Sequence, residues 1–287
     1  MYKGFIIDDF DNNSDFSSLS SRSVPEILRF ANLKESDYLI NESFNSSLKD
    51  FIILDTVDRD IVLDGQKIID NYFPEVHADI FISHSHKDVE KAKDFAKIIY
   101  HKTGLVSFID SEVWKYANDL LRKIDDVCCP NSDDTYSYEK RNVSTAYVHM
   151  MLNTALLSMI DRCECLFFLS TPNSFNTEEE IENTTFSPWI YSELSMANAI
   201  EKKMPARFTD IEKSLLEQSV EQFSQEDSAP ELKIALKPKT ENFINCKAMQ
   251  VRNWLSSCVS DKKLENLDGL YNIFKSPKKG IIGRMNG

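Results

Sequence analysis

The chain has 287 residues, 42% of them hydrophobic and 28% charged, a composition that excludes wholesale disorder and leaves room for one large domain with additions. Its 46 acidic and 33 basic side chains give a formal charge of −13, which repels nucleic-acid phosphates and anionic bilayers; the densest basic run, Lys278 and Lys279, is too short to reverse that. Six cysteines (Cys128, Cys129, Cys163, Cys165, Cys246 and Cys258) form no C-x-x-C pair, and there is neither a leader-like start nor a run of about 18 apolar residues, so the expectation is a reduced, unanchored, cytoplasmic chain without structural zinc.

In chain order, residues 11–24 are rich in Asp, Asn and Ser without apolar periodicity and read as a loop leading to a short helix opened by Pro25. "FIILDTV" at 51–57 is strand-like, and "GQKIIDNYF" after it is helical in pattern. Residues 1–76 together read as an N-terminal extension of unknown role. From 78 the rhythm changes: "ADIFIS" is a short buried-strand run, and "VEKAKDFAKIIYHKTG" is a helix stopped by Gly104. "LVSFID" is a second strand, "VSTAYVHMMLNTALLSMID" a helix, "CECLFFLS" a third strand, and "FSPWIYSELSMANAI" at 186–200 the next helix. Beyond 201 the pattern weakens; "ELKIALKP" reads as a later strand and "CKAMQVRNWLSSCV" as a closing helix.

Apolar strands alternating with helices predict a doubly wound parallel sheet, whose ligands bind beyond the carboxyl ends of the strands. Those ends are "SHSHKD" at 83–88, "DSEVWKYA" at 110–117 and "STPNS" at 170–174. His84, His86 and Asp88 resemble the H-x-H-x-D core of metallo-β-lactamase-like zinc hydrolases, but Val89 stands where that motif has a further His, and the last of the five histidines is His149. The bland reading is a polar surface loop. With seven glycines and neither G-x-G-x-x-G nor G-x-x-x-x-G-K-[ST], a Rossmann or P-loop phosphate cradle is excluded at motif level, and no G-x-S-x-G elbow supports a serine hydrolase.

The 186–200 helix opens with Ser187 as N-cap and Pro188 in the first turn. Helical spacing puts Trp189, Glu193, Met196 and Ile200 on one stripe and Ile190, Leu194 and Ala197 beside it, so Glu193 interrupts an apolar face. It is either a rim glutamate paired with a nearby Lys or Arg, or a carboxylate at the floor of a cleft beside an aromatic wall.

Taken together, "DIFISHSHKD", "VSFID", "CECLFFLS" and "SPWIYSELSMANA" resemble the first three strands and a following helix of a Toll/interleukin-1 receptor (TIR) domain, over about residues 78–200. The most specific part is W-x-x-x-E, Trp189 and Glu193. The resemblance implies a flavodoxin-like TIR fold over 77–275 with an inserted helix near 128–145, an N-terminal extension and a tail at 276–287. It further implies an NAD+ glycohydrolase or cyclase that needs no cofactor, with NAD+ as substrate, Glu193 catalytic and Trp189 stacked on nicotinamide. Ser83, His84 and Ser85 are then candidates to meet phosphate or ribose, and Asp110, Trp114 and Tyr116 to contact substrate or a neighbouring subunit, since the family assembles through TIR–TIR contacts. Stand-alone bacterial proteins of this sort resemble the signal-making TIR components of Thoeris-type anti-phage systems, whose nucleotide product a separate effector senses. The rival is a non-catalytic TIR interaction module. Two departures stand out: the loop expected after "SFID", "SEVWKYANDLLRKID", has no glycine, and the connection to the third strand is longer than usual for the family.

Overall fold

The computed structural model describes residues 1–10, 48–55, 61–75, 77–133, 135–175, 184–208 and 234–274. Its elements are β1 (Lys3–Asp8), β2 (Ile52–Asp55), β3 (Ile61–Leu63), α1 (Gly65–Tyr72), β4 (Ile80–Ser83), α2 (Val89–Thr103), β5 (Ser107–Ile109), α3 (Asp110–Cys128), α4 (Tyr138–Arg162), β6 (Cys165–Leu169), α5 (Pro188–Ala199), β7 (Phe243–Lys247), α6 (Ala248–Ser257) and α7 (Lys263–Ile273). Five strands form one sheet in the order β5-β4-β6-β1-β7, every neighbouring pair parallel, while β2 and β3 make a small antiparallel ribbon of their own.

The sheet is buried on both faces because its strands are apolar at consecutive positions, as a parallel sheet requires. Alternate side chains feed two cores. Phe5, Ile7, Ile80, Ile82, Phe167 and Leu169 pack under α2, α6 and α7. Ile6, Phe81, Phe108, Leu166 and Phe168 pack under α1, α3, α4 and α5. The result is the expected α/β architecture, with β5, β4 and β6 in the flavodoxin-like arrangement around β4.

The N-terminal residues correct the expectation of a separate extension over 1–76. Lys3–Asp8 lies inside the sheet, paired with β6 from Lys3↔Cys165 to Ile7↔Leu169 and with β7 from Gly4↔Phe243 to Asp8↔Lys247. It fills the position that a later strand holds in a flavodoxin-like order. Only the burial of Phe5, Ile6 and Ile7 on two faces drives this, a run too short to stand out next to Lys3 and Gly4.

Two further readings change. The segment after the second strand is no loop: α3 starts at Asp110, directly after β5. Of "ELKIALKP", the described part contributes one isolated bridge, Leu236 to Thr185, and the last strand of the sheet is Phe243–Lys247 instead. The loop expected at 11–24, the helix at Pro25 and the tail at 276–287 lie outside the described residues.

α3 and α4 form a helical hairpin closed by a buried carboxylate. Asp125, 4% exposed, accepts from Ser144 Oγ at 2.5 Å and from Arg141 Nε at 2.9 Å. α4 is 25 residues long and, among the described residues, is the one helix long and apolar enough to cross a membrane by length and composition. Its inner side, including Val148, Leu152, Leu156 and Ile160, belongs to the core.

Gly104 ends α2 in the left-handed region at φ 72°, its N–H donating to Tyr100 O at 2.7 Å. A Cβ there would stand 2.5 Å from the Ser260 carbonyl oxygen. Gly104→Ala is therefore expected to destabilise the protein by about 2–3 kcal/mol in urea unfolding. Gly269, inside α7 with nothing within 4 Å of an added Cβ, gives the opposite sign: Gly269→Ala is expected to stabilise by about 0.5–1 kcal/mol.

Candidate functional site

Adjacent parallel strands whose following helices leave on opposite faces open a crevice at their carboxyl ends. Here β4 leads into α2 on one face of the sheet, and among the described residues the next helix after β6 is α5 on the other. Two loops meet at that switch point, 84–88 after β4 and 170–175 after β6.

The loops are tied by one buried side chain. Asp88, 1% exposed, ends a single 3-10 turn (His86–Asp88) and accepts from Thr171 Oγ1 at 2.7 Å, Asn173 Nδ2 at 2.9 Å and Lys91 Nζ at 2.8 Å. Burial alone would push its carboxyl group up, but the bonds from Lys91, Thr171 and Asn173 outweigh that and hold it below the ordinary carboxylate range. Thr171 N–H donates to Ser174 Oγ, whose hydroxyl lies within bonding distance of the carbonyls of Leu169 and Thr171, so the β6 loop is internally fixed as well.

Ser83, His84 and Ser85 all lie in this crevice wall and are buried, at 0%, 2% and 8% exposure. Ser83 ends β4 opposite Phe168 and lies in phase with Phe81, which directs it to the face covered by α5. Its hydroxyl has no hydrogen-bond partner among the described residues. His84 turns inward, Nδ1 3.4 Å from Ile82 O, while His86 is exposed. With Asp88 taken up by three donors, the H-x-H-x-D resemblance does not assemble into a ligand set. Among the described residues no group of three or more His, Cys, Asp or Glu side chains is placed to hold a metal ion.

α5 begins as its sequence predicts: Pro188 occupies the first turn and Ser187 Oγ accepts from Ile190 N–H at 3.3 Å. Its far end reaches the amino edge of the sheet, where Lys203 N–H donates to Met1 O at 3.1 Å. The helix thus runs antiparallel to the strands, and its first two turns lie toward their carboxyl ends. Glu193 stands five residues, about 8 Å, along it. At 1% exposure between the buried Ile190 and Leu194, Glu193 is an interior carboxylate and not an exposed one.

Trp189, one turn before Glu193, is half-buried against α4. Its ring meets His149 edge-on, centroids 5.4 Å apart at 85°, and Ser192 Oγ donates to Asn153 Oδ1 at 3.1 Å. Burial holds the His149 imidazole below its ordinary pKa. His149, Asn153, Thr171 and Asn173 were absent from the sequence-derived site, because none sits in a recognisable motif and each becomes relevant only by meeting a distant element. Asp110, Trp114 and Tyr116 occupy the first two turns of α3; their side chains lie outside the described residues.

No family model, no curated protein and no solved structure matches the chain.

The Asp88 tie makes a signed prediction. Because its folded-state pKa is depressed, its contribution is complete above the unfolded value of about 3.9 and is lost as pH falls through the lower folded value. Asp88→Asn is expected to cost about 2–4 kcal/mol at pH 7, with the gap to wild type narrowing as pH falls below about 3.9, in paired urea titrations.

Proposed function

We propose that the chain is a TIR-type NAD+ glycohydrolase or cyclase in which Glu193 is the catalytic residue. The observation that carries the reading is the placement of one buried carboxylate a helical turn from a half-buried indole, on the helix that follows β6 at the switch point of the sheet. The motif residues "SPWIYSE" supply the family resemblance. The rival scaffold reading treats Glu193 as a surface residue, and its burial speaks against that.

The chemistry asks little else of the protein. Breaking the bond between ribose C1′ and the nicotinamide nitrogen sends the bonding pair to the ring, which leaves as a neutral molecule, so no general acid is needed. Positive charge develops on the ribose as an oxocarbenium-like species. A carboxylate held in a dry site, against the ribose hydroxyls, stabilises that charge without reorganising. Trp189, held in a T-shaped contact with His149, is the aromatic group on this helix that would orient the nicotinamide. Water captures C1′ to give ADP-ribose and a proton; a nitrogen or oxygen of the same nucleotide gives a cyclic isomer instead. The buried Ser83 hydroxyl and the fixed Thr171–Ser174 loop stand at the crevice where ribose and phosphate oxygens would lie. Anti-phage signalling, with a separate effector sensing the product, is the biological setting that the resemblance suggests.

The test is steady-state nicotinamide release by purified wild type, Glu193→Gln and Trp189→Ala. Glu193→Gln is expected to lower kcat by about 10²–10³-fold with folding intact, and Trp189→Ala to act mainly on KM. Equal rates in wild type and Glu193→Gln would overturn the assignment.

A further inference from the structure

The loop that leaves β6 ends on an aromatic ring. Its stem is held from within: Thr171 Oγ1 donates to the buried Asp88, Thr171 N–H to Ser174 Oγ, and the N–H groups of Ser174 and Phe175 to Thr171 O at 3.0 and 3.1 Å. Phe175 thus follows a fixed stem, and its ring lies on Phe168, centroids 4.8 Å apart and tilted by 50°. Phe168 is fully buried near the carboxyl end of β6 and is paired across the sheet with Ser83 of β4. Paired residues of neighbouring strands share a face, so Phe175, Phe168 and Ser83 stand on the side that α5 covers.

Two features of this corner point to a ligand. Among the described residues, the half-buried apolar side chains packed on this core include two aromatic ones, Trp189 and Phe175, and both belong to the stretch of chain between β6 and the end of α5. The second is the Ser83 hydroxyl, buried without a hydrogen-bond partner among the described residues. Buried polar groups are as a rule satisfied, so an orphan hydroxyl one strand away from the Phe168 and Phe175 rings marks a place that a ligand's polar atom completes.

We propose that Phe175 contacts the substrate, the uncovered part of its ring stacking on a flat heteroaromatic ring. The proposal rests on the NAD+ reading, because that substrate carries two such rings, adenine and nicotinamide, and Trp189 accounts for one of them. Both rings offer the same π-face, which a phenyl group recognises without regard to the pattern of ring nitrogens. A ring already placed by a hydrogen-bonded loop loses little conformational freedom when the substrate arrives. An aliphatic side chain on Phe168 would close the core as well, but it would not stack.

The test uses the full chain and two fragments that carry one ring each, ADP-ribose for adenine and nicotinamide mononucleotide for nicotinamide. Their binding is measured by titration calorimetry, beside NAD+ turnover, for wild type, Phe175→Leu and Phe175→Tyr. Phe175→Leu keeps an apolar group on Phe168 but removes the ring. It is expected to weaken one fragment about 10–100-fold and spare the other, and to raise KM for NAD+ by a similar factor with kcat changed less than about threefold. Phe175→Tyr is expected to restore both. Loss confined to ADP-ribose identifies adenine as the stacked ring, and loss confined to the mononucleotide identifies nicotinamide. Equal loss for both fragments, or equal loss in Phe175→Tyr and Phe175→Leu, assigns the effect to loop packing and overturns the proposal, as does a wild type that binds neither fragment. Turnover with KM unchanged in Phe175→Leu overturns the stacking and leaves the catalytic reading standing; fragment binding that depends on the Phe175 ring without any turnover does the reverse.

Discussion

The sheet is one body because Lys3–Asp8 is hydrogen-bonded along both of its edges. Without it, β6 and β7 would each present a row of unpaired N–H and C=O groups in the interior, a cost no apolar packing offsets. The same six residues join the two cores: Phe5 and Ile7 point to one, Ile6 to the other. Gly4 lets the ring of Phe243 lie across the strand, since a Cβ there would stand 2.6 Å from it. The start of the chain is thereby committed to the centre of the sheet, and the carboxyl ends of β4, β6 and β1 are brought into one line.

From that line the site follows in steps. Parallel pairing fixes where the loops emerge, and the departure of α2 and α5 on opposite faces opens the crevice. Asp88 then fastens the two loops that border it, so Ser83, His84 and Ser85 are presented by a rigid rim instead of a mobile one. α5 packs on the face of the sheet that holds Leu166 and Phe168, with Glu193 buried between Ile190 and Leu194. α4 finishes the arrangement by holding Trp189 in a T-shaped ring contact with His149.

Much of this was legible in the sequence wherever a short-range physical rule applies. The runs "DIFIS", "VSFID" and "CLFFL" are apolar at successive positions and are found as β4, β5 and β6, and Gly104 ends its helix in the left-handed conformation that glycine favours. Ser187 and Pro188 mark the start of α5 for reasons of capping and fixed φ. What escaped depends on partners far along the chain. β1 is three apolar residues whose register is set by strands about 160 and 240 positions away. The Asp88–Thr171 bond spans 83 residues, and α3 begins on the heels of β5 with no turn residue to announce it.

The central claim is that this site cleaves NAD+, and the most direct measurement is the mass spectrum of NAD+ incubated with the wild-type chain over a wide range of protein concentrations. The account predicts free nicotinamide together with an equal amount of a nucleotide product, at the mass of ADP-ribose when water captures the ribose and lighter by one water when a group of the same molecule does. NAD+ recovered intact at every concentration would contradict it.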